Sequence, residues 1–193
     1  MGRVWESPRG NLYASGLVDL QPDDPDAATL ALLAAVALYD AIAIWAPAIQ
    51  LKWPNDVLLG NGAKLSGILL ERKGDAVVVG FGVNLAHHPN ELDRLVSSIA
   101  ALGVVPPTPA KFLDALADTF ARWLARWRTD GMGVISAAWL TRAHPVGTAL
   151  TVNLPDCERL EGLFDGLSDE CALRLRLADG AVRVIHAGDV FLI

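Results

Sequence analysis

The stretch that decides the fold runs from residue 51 to residue 85 and reads LKWPNDVLLGNGAKLSGILLERKGDAVVVGFGVNL. Its short apolar runs are separated by turn-forming residues, a pattern that predicts strands joined by tight turns. Pro54 has no amide hydrogen to donate to a sheet, so we expect the first strand to end before it. The turns at 60–62 and 74–75 contain glycine, which tolerates the positive φ of a hairpin. The expected strands are 50–53, 57–59, 65–71 and 77–85.

Polar side chains of this stretch lie at strand ends or beside turns, where a rigid sheet can direct them to one place. They are Lys52, Asn55, Asp56, Lys64 and Asn84. Three glycines interrupt the same strands, at positions 67, 80 and 82. Glycine weakens a strand, and it is typical of places where a ligand or another backbone comes close. The stretch therefore predicts a binding site on the sheet.

The segments around this sheet predict helices and a second group of strands. Asp26 is placed to cap a helix over 27–45, whose apolar residues cover nearly every face and so predict burial against the sheet. Thr108 is placed to cap a second helix over 109–128, whose aromatic stripe is typical of a core, and a third helix is expected over 134–142. Short strands with turns between them then predict a small barrel. They are 149–152, 159–167, 171–177, 181–186 and 190–193.

The composition limits the classes of function. A net charge of -6 argues against a nucleic-acid-binding face, so any DNA-binding module would lie outside this chain. No secretory signal is visible, and the apolar run 27–46 contains Asp40 and ends at Pro47, which favours a buried helix over a membrane span. Cys157 and Cys171 lack metal-ligand spacing and are interpreted as reduced thiols. We therefore expect a cytoplasmic protein with no nucleic-acid partner and no membrane partner.

Three blocks of the first stretch carry a resemblance to a known family: KWPND at 52–56, KLSGIL at 64–69 and GFGVN at 80–84. In this order and at this close spacing they resemble the core of the biotin–protein ligases (biotin–[acetyl-CoA-carboxylase] ligases). The segments GRVWESP at 2–8 and GNLY at 10–13 resemble the later half of that family's ligand loop and the strand after it. The resemblance implies that the chain starts inside this loop and lacks the family's N-terminal segment.

The resemblance also implies an architecture of two domains. It predicts an α/β (α+β) fold over residues 1–143, in which a mixed sheet like that of class II aminoacyl-tRNA synthetases carries flanking helices. A small SH3-like β-barrel domain is expected over residues 144–193.

The activity implied by the resemblance is the ATP-dependent ligation of biotin to a lysine of a biotin carboxyl carrier domain, through biotinyl-5′-AMP. ATP and Mg²⁺ would be required with biotin. Both steps develop charge on oxygen atoms, so the site needs cations and hydrogen-bond donors. Lys64 is the expected catalytic residue. The residues expected to bind biotin or ATP are Arg3, Trp5, Lys52, Asn55, Asp56, Lys64, Gly67, Ile68, Leu69, Gly80, Gly82 and Asn84.

Some of these residues have a second interpretation. Trp5 can stack on adenine, or it can belong to a disordered terminus together with Arg3. Asp56 can help to hold Mg²⁺, or it can cap the turn that precedes it. Gly82 can admit the ligand or form a bulge, in which case Asn84 ends a strand instead of pairing with adenine.

Two alternatives concern the chain as a whole. A lipoate–protein ligase shares the fold and the acyl-adenylate chemistry, so fold alone does not choose the acyl group. The chain can also be a truncated fragment without catalytic activity. A homodimer formed by sheet edges is a further expectation from the family.

Overall fold

The structure, a computed structural model, describes residues 7–89 and 95–193. Two of the expected binding residues, Arg3 and Trp5, lie outside the described residues. Within them, no helix is both long enough and apolar enough to cross a membrane.

The first sheet contains the stretch from which the sequence analysis began. Its five strands pair antiparallel in the order β1-β5-β4-β3-β2. Parallel pairing in the described residues is limited to two isolated bridges, Leu51 with Ala143 and Lys64 with Val96. The strands are β1 (Leu12–Asp19), β2 (Ile49–Lys52), β3 (Asp56–Leu59), β4 (Lys64–Lys73) and β5 (Ala76–Val83).

Four of these strands follow the predicted ones closely, with one shortening at the end of β5. The predicted strand continued to Leu85, but β5 ends at Val83. The Asn84 amide makes one more bond to β4, to the Leu65 carbonyl, and the Leu85 carbonyl accepts from the Ala100 amide of the following segment. The end of β5 is therefore tied to the segment that follows residue 95.

A β-bulge interrupts the pairing of β3 with β4. Val57 is opposite Ser66 and the next residue, Leu58, is opposite Lys64, so Leu65 is the extra residue. A bulge re-aims the side chains on either side of it. After it, Ile68 faces the core and Leu69 faces solvent, at 4% and 63% exposure.

Helices pack against the face of this sheet to which Ile68 points. The first predicted helix starts as a 3₁₀ turn at Ala27–Thr29, with the Asp26 side chain accepting from the amide of Ala28, and continues as α1 (Leu30–Ile42). It ends before the predicted residue 45. The second helix, α2 (Pro109–Asp130), is capped by Thr108 as expected, and α3 is Met132–Leu140. Ten of the 13 residues of α1 are buried, which confirms that it is sandwiched.

The C-terminal residues form a second antiparallel sheet, in the order β10-β6-β7-β8-β9. This order leaves β9 and β10 at its two edges, so strand pairing among the described residues does not close the expected barrel. The division of the chain between residues 143 and 144 stays a prediction. The strands are β6 (Ala149–Asn153), β7 (Arg159–Leu167), β8 (Leu173–Arg176), β9 (Val182–Ile185) and β10 (Asp189–Leu192).

Candidate active site

One row of residues crosses all five strands of the first sheet. Lys52 is opposite Asp56, Asp56 is opposite Gly67, Gly67 is opposite Gly82, and Gly82 is opposite Tyr13. Directly paired residues of antiparallel strands point to the same face, so these five share the face away from the helices. The two glycines add no side chain to the middle of the row. The result is a strip of bare backbone, here called the glycine strip, with charged groups at one end and a tyrosine at the other.

The charged end of the glycine strip is a cluster of two lysines around one carboxylate. Lys52 Nζ lies 3.0 Å from Asp56 Oδ2, and Lys64 Nζ donates to Asp56 Oδ1. The side chain of Asp56 is 7% exposed, while those of Lys52 and Lys64 are 15% and 21% exposed. The three formal charges sum to one positive charge at the edge of the strip, which suits an anionic ligand.

Asp56 is ionised in this arrangement. Burial alone would raise its pKa, but the opposite charges of Lys64 and Lys52 and their hydrogen bonds outweigh burial and hold the pKa below its usual value. The carboxylate therefore keeps its charge at neutral pH and keeps both ammonium groups close to it.

Asp56 does not fit the expected role of a magnesium ligand as it stands here. Each of its oxygen atoms already contacts an ammonium group. The described residues also contain no group of three or more His, Cys, Asp or Glu side chains that could hold a metal ion. The local charge is positive, whereas a divalent cation requires oxygen ligands without a competing cation. We therefore derive no step through a metal held by Asp56.

Gly67 leaves room for the Lys64 side chain close to the backbone of β4. A Cβ atom at this position would lie 3.1 Å from Lys64 Nζ and 3.2 Å from Lys64 Cε. The Lys64 side chain thus lies directly over Gly67. At Gly80 a Cβ would lie 3.5 Å from the carbonyl oxygen of Leu69, an ordinary contact, so packing within the sheet does not demand glycine there.

Gly82 lies in an unbroken ladder. Its partners are Tyr13 on β1 and Gly67 on β4, and both registers continue without a shift through this position. The alternative prediction that Gly82 forms a bulge is therefore wrong. The remaining explanation from the sequence, that a ligand approaches the backbone here, stays a prediction.

Asn55 and Ile68 hold two strands together. Asn55 Nδ2 donates to the Ile68 carbonyl at 2.6 Å, and the Ile68 amide donates to the Asn55 carbonyl at 3.1 Å. This pair of hydrogen bonds holds the turn before β3 against β4. The Ile68 side chain faces the core, whereas the neighbouring Leu69 side chain lies on the same face as the glycine strip.

Asn84 anchors the segment that follows β5. Its Nδ2 donates to the carbonyl of Ser97 at 3.0 Å, and its carbonyl accepts from the Ile99 amide. The side-chain amide proposed for an adenine edge is thus already used on this segment through its NH₂ group.

Sequence reasoning missed Asn11 and Tyr13. Asn11 is buried, and its Oδ1 accepts from the amides of Ala86 and His87 while its Nδ2 donates to Tyr13 Oη at 3.2 Å. It fixes the start of β1 and the far end of the glycine strip. The segment GNLY at 10–13 was part of the resemblance but gave neither residue a role, because only the strand register places Tyr13 in the row.

Sequence reasoning also missed that two motif residues contact the C-terminal part of the chain, one at β10 and one at the turn before β8. Lys52 Nζ donates to the carbonyl of Val190 on β10 at 2.9 Å. Trp53 is 4% exposed, and its Nε1 donates to the carbonyl of Cys171 at 3.2 Å. Cys171 lies at the end of a tight turn and has a φ of 64°, an unusual value for a residue other than glycine. This backbone conformation sets the direction of the carbonyl that accepts from Trp53.

Comparisons with known proteins identify the family of this chain. Residues 1–84 match the family model of the biotin/lipoate A/B protein ligases, and residues 151–193 match that of the biotin protein ligase C-terminal domain. The chain has the fold of a biotin protein ligase from Aquifex aeolicus in complex with biotin and ATP, with a TM-score of 0.86. That match covers 100% of this chain and 83% of the other at 20% sequence identity.

Two curated relatives are similar in sequence. The biotin–[acetyl-CoA-carboxylase] ligase of Paracoccus denitrificans is 41% identical over 209 aligned positions, which cover 98% of this chain and 83% of that protein. The enzyme of the same name from Mycobacterium tuberculosis is 33% identical over 165 positions, 83% of this chain and 61% of that protein. The chain belongs to the family of biotin–protein ligases.

Proposed function

We propose that this protein ligates biotin to a lysine of a biotin carboxyl carrier domain, with ATP as the energy source. The observation that carries the proposal is the positively charged lysine–carboxylate cluster at the edge of a side-chain-free strip, built from the three family motifs. The 41% identity to the Paracoccus ligase supports biotin as the acyl group.

The reaction has two steps. An oxygen of the biotin carboxylate bonds to the α-phosphorus of ATP, the bond from that phosphorus to the bridging oxygen breaks, and pyrophosphate leaves. The lysine amine of the carrier then attacks the acyl carbon, AMP leaves with the electrons of the broken acyl–oxygen bond, and the amine loses a proton. Mg²⁺ normally accompanies ATP in such reactions.

Lys64 is the residue that we place at the reacting atoms. Its ammonium lies over Gly67, on the face of the glycine strip. From there its charge would neutralise the approaching carboxylate and α-phosphate, an interaction that strengthens as charge builds on their oxygens. Gly67, Gly82 and Gly80 would let the ligand lie against the backbone, with the exposed Leu69 beside it.

The location and the partner that we propose are those expected from the sequence. We propose that the protein works in the cytoplasm on the carrier domain of a biotin-dependent carboxylase. A homodimer through sheet edges remains a prediction, and β1 and β2 are the two outer strands of the first sheet.

The proposal is tested by acyl transfer to a purified biotin carboxyl carrier domain. The protein is incubated with ATP, Mg²⁺ and the carrier, and mass spectrometry follows the mass of the carrier lysine. We expect addition of one biotinyl group with biotin and no addition with lipoate. Transfer of lipoate in preference to biotin would support the lipoate ligase alternative, and transfer of neither would contradict the proposal.

A further inference from the structure

Lys52 is held between the two sheets. Its Nζ donates to the Val190 carbonyl at 2.9 Å, lies 3.0 Å from Asp56 Oδ2, and lies 6.0 Å from the centre of the Phe191 ring. One backbone carbonyl and one carboxylate thus fix the position of the ammonium group. Its direction is toward the second sheet, and not along the glycine strip toward Gly67.

Asp56 connects Lys52 to Lys64. One carboxylate oxygen faces each lysine, and because the carboxylate is planar, fixing one oxygen also fixes the other. The side chain has little freedom to adjust, since it is only 7% exposed. A displacement of Lys52 therefore displaces the oxygen that holds Lys64.

The strand that carries Lys52 is itself fixed. The neighbouring Trp53 donates from Nε1 to the Cys171 carbonyl, and the Leu51 amide donates to the carbonyl of Arg142 at 2.8 Å. Three successive residues, 51–53, are thus bonded to the part of the chain that follows α3. These hydrogen bonds therefore fix β2, and with it the Lys52 ammonium, relative to the C-terminal part of the chain.

We propose that Lys52 is a positioning residue, which orients Lys64 through Asp56 and does not itself contact the substrate. A lysine side chain has a flexible four-carbon stem, so an unsupported ammonium would spend much of its time away from the reacting atoms. Holding a charged group in its reactive geometry before the substrate arrives is a recognised source of rate enhancement. This proposal rests on the proposed function only for its kinetic test.

The structural test observes the lysines directly by NMR, without any activity. The chain has four lysines, Lys52, Lys64, Lys73 and Lys111, and each gives one signal when the lysine ε-carbon is labelled with ¹³C. The exposed Lys73 and Lys111 are internal controls. We expect Lys52→Met to shift the Lys64 signal and to leave both controls unchanged. Lys52→Arg, which can keep both contacts, should leave Lys64 close to its original position.

A double-mutant comparison decides whether Asp56 carries the effect. In the Asp56→Asn background, Lys52→Met should no longer move the Lys64 signal. An unchanged Lys64 signal on Lys52→Met in the original protein, or an equal shift in both backgrounds, would contradict the proposal. If a melting curve shows that Lys52→Met does not fold, Lys52→Gln takes its place, because it removes the charge and keeps a donor.

The kinetic test asks whether the same coupling reaches the reaction. Lys52→Met should lower kcat for biotinyl-AMP formation by about tenfold or more, with the KM for biotin changed by less than about twofold. In the Asp56→Asn background the further loss should be less than about twofold. If the loss of kcat in the double variant equals the product of the losses in the two single variants, Lys52 acts on the substrate independently of Asp56. If the original protein forms no biotinyl-AMP, the proposed function fails, and the NMR comparison still decides the role of Lys52.

Discussion

At the scale of single residues, Gly67 shows how a position without a side chain lets a charged group lie close to the sheet backbone. The end of the Lys64 side chain would lie 3.1 Å from a Cβ at this position, closer than an ordinary contact. The cost of a glycine within a strand is about 0.5–1 kcal/mol relative to alanine. Here that cost is offset by a contact between charged groups that lies close to the backbone.

Gly67→Ala should therefore separate stability from activity. The added Cβ would lie 3.1 Å from the far end of the flexible Lys64 side chain, which can move aside without disturbing the backbone. We expect a change in the free energy of unfolding of less than about 1 kcal/mol, measured in urea. We expect biotinyl-AMP formation to fall by about tenfold or more, because Lys64 is displaced.

The matched control for this variant is Gly16→Ala on β1, where a Cβ would meet nothing within 4 Å. It should leave adenylate formation unchanged. Equal rates for Gly67→Ala and the original protein would show that the position of Lys64 does not matter to the reaction.

At the scale of elements, turn residues made the strands and helices readable from the sequence. Glycine turns separated β3 from β4 and β4 from β5, and Thr108 correctly marked the start of α2. One predicted strand boundary is wrong because hydrogen bonds within a turn replace the pairing between strands. The strand predicted from Cys171 begins at Leu173, because residues 168–172 close a turn in which the Ser168 amide donates to the Ala172 carbonyl.

The junction between α3 and β6 contains a buried histidine. His144 is 2% exposed, and its ring lies edge-on to Phe164 with centroids 4.4 Å apart. Neither of its ring nitrogens has a hydrogen-bond partner of good geometry among the described residues. Its pKa is lowered from 6.5 to about 4, mainly by burial and in part by the nearby charge of Lys52, against the opposing effect of the Pro145 backbone.

This depressed pKa predicts a loss of stability in mild acid. The unfolded chain takes up a proton at His144 near pH 6.5, whereas the folded protein does so only near pH 4, so its contribution is complete above the first value and is lost between the two. The loss amounts to about 2–3 kcal/mol over this range. Urea unfolding at a series of pH values should show it.

His144→Leu, of similar size and without a titrating group, should flatten the stability profile between pH 6.5 and about 4. The exposed His186, changed to glutamine, is the control that should leave the profile as it was. If the His144→Leu protein loses stability over this range as steeply as the original protein does, the assignment of the acid effect to His144 fails.

At the scale of the whole molecule, the family motifs at 52–56 and 64–69 have two tasks. Asp56 and Lys64 face the glycine strip, while Lys52 and Trp53 join the first sheet to the second. The sequence motif indicated a site, but it could not indicate this division. The partner of Lys52 lies 138 residues further along the chain, and that contact depends on how the two sheets pack.

The same reason limits what the sequence could say about the site. Residues near one another in the chain, such as Lys52 and Asp56, were correctly grouped. The row from Lys52 to Tyr13 depends on four strand registers, and the bulge at Leu65 breaks the regular alternation of side chains along β4. Register is set by tertiary pairing, so sequence alone could give the candidates but not the face that they share.

The most direct measurement of the central claim is biotinyl-AMP formation by the Lys64→Ala protein, from ATP labelled at the α-phosphate. Lys73→Ala is the matched control, because Lys73 is an exposed lysine at the other end of β4. We expect Lys64→Ala to fold normally and to lose adenylate formation by about a hundredfold or more, as removal of one stabilising donor does. The control should keep the original rate. Near-normal adenylate formation by folded Lys64→Ala protein would contradict the account.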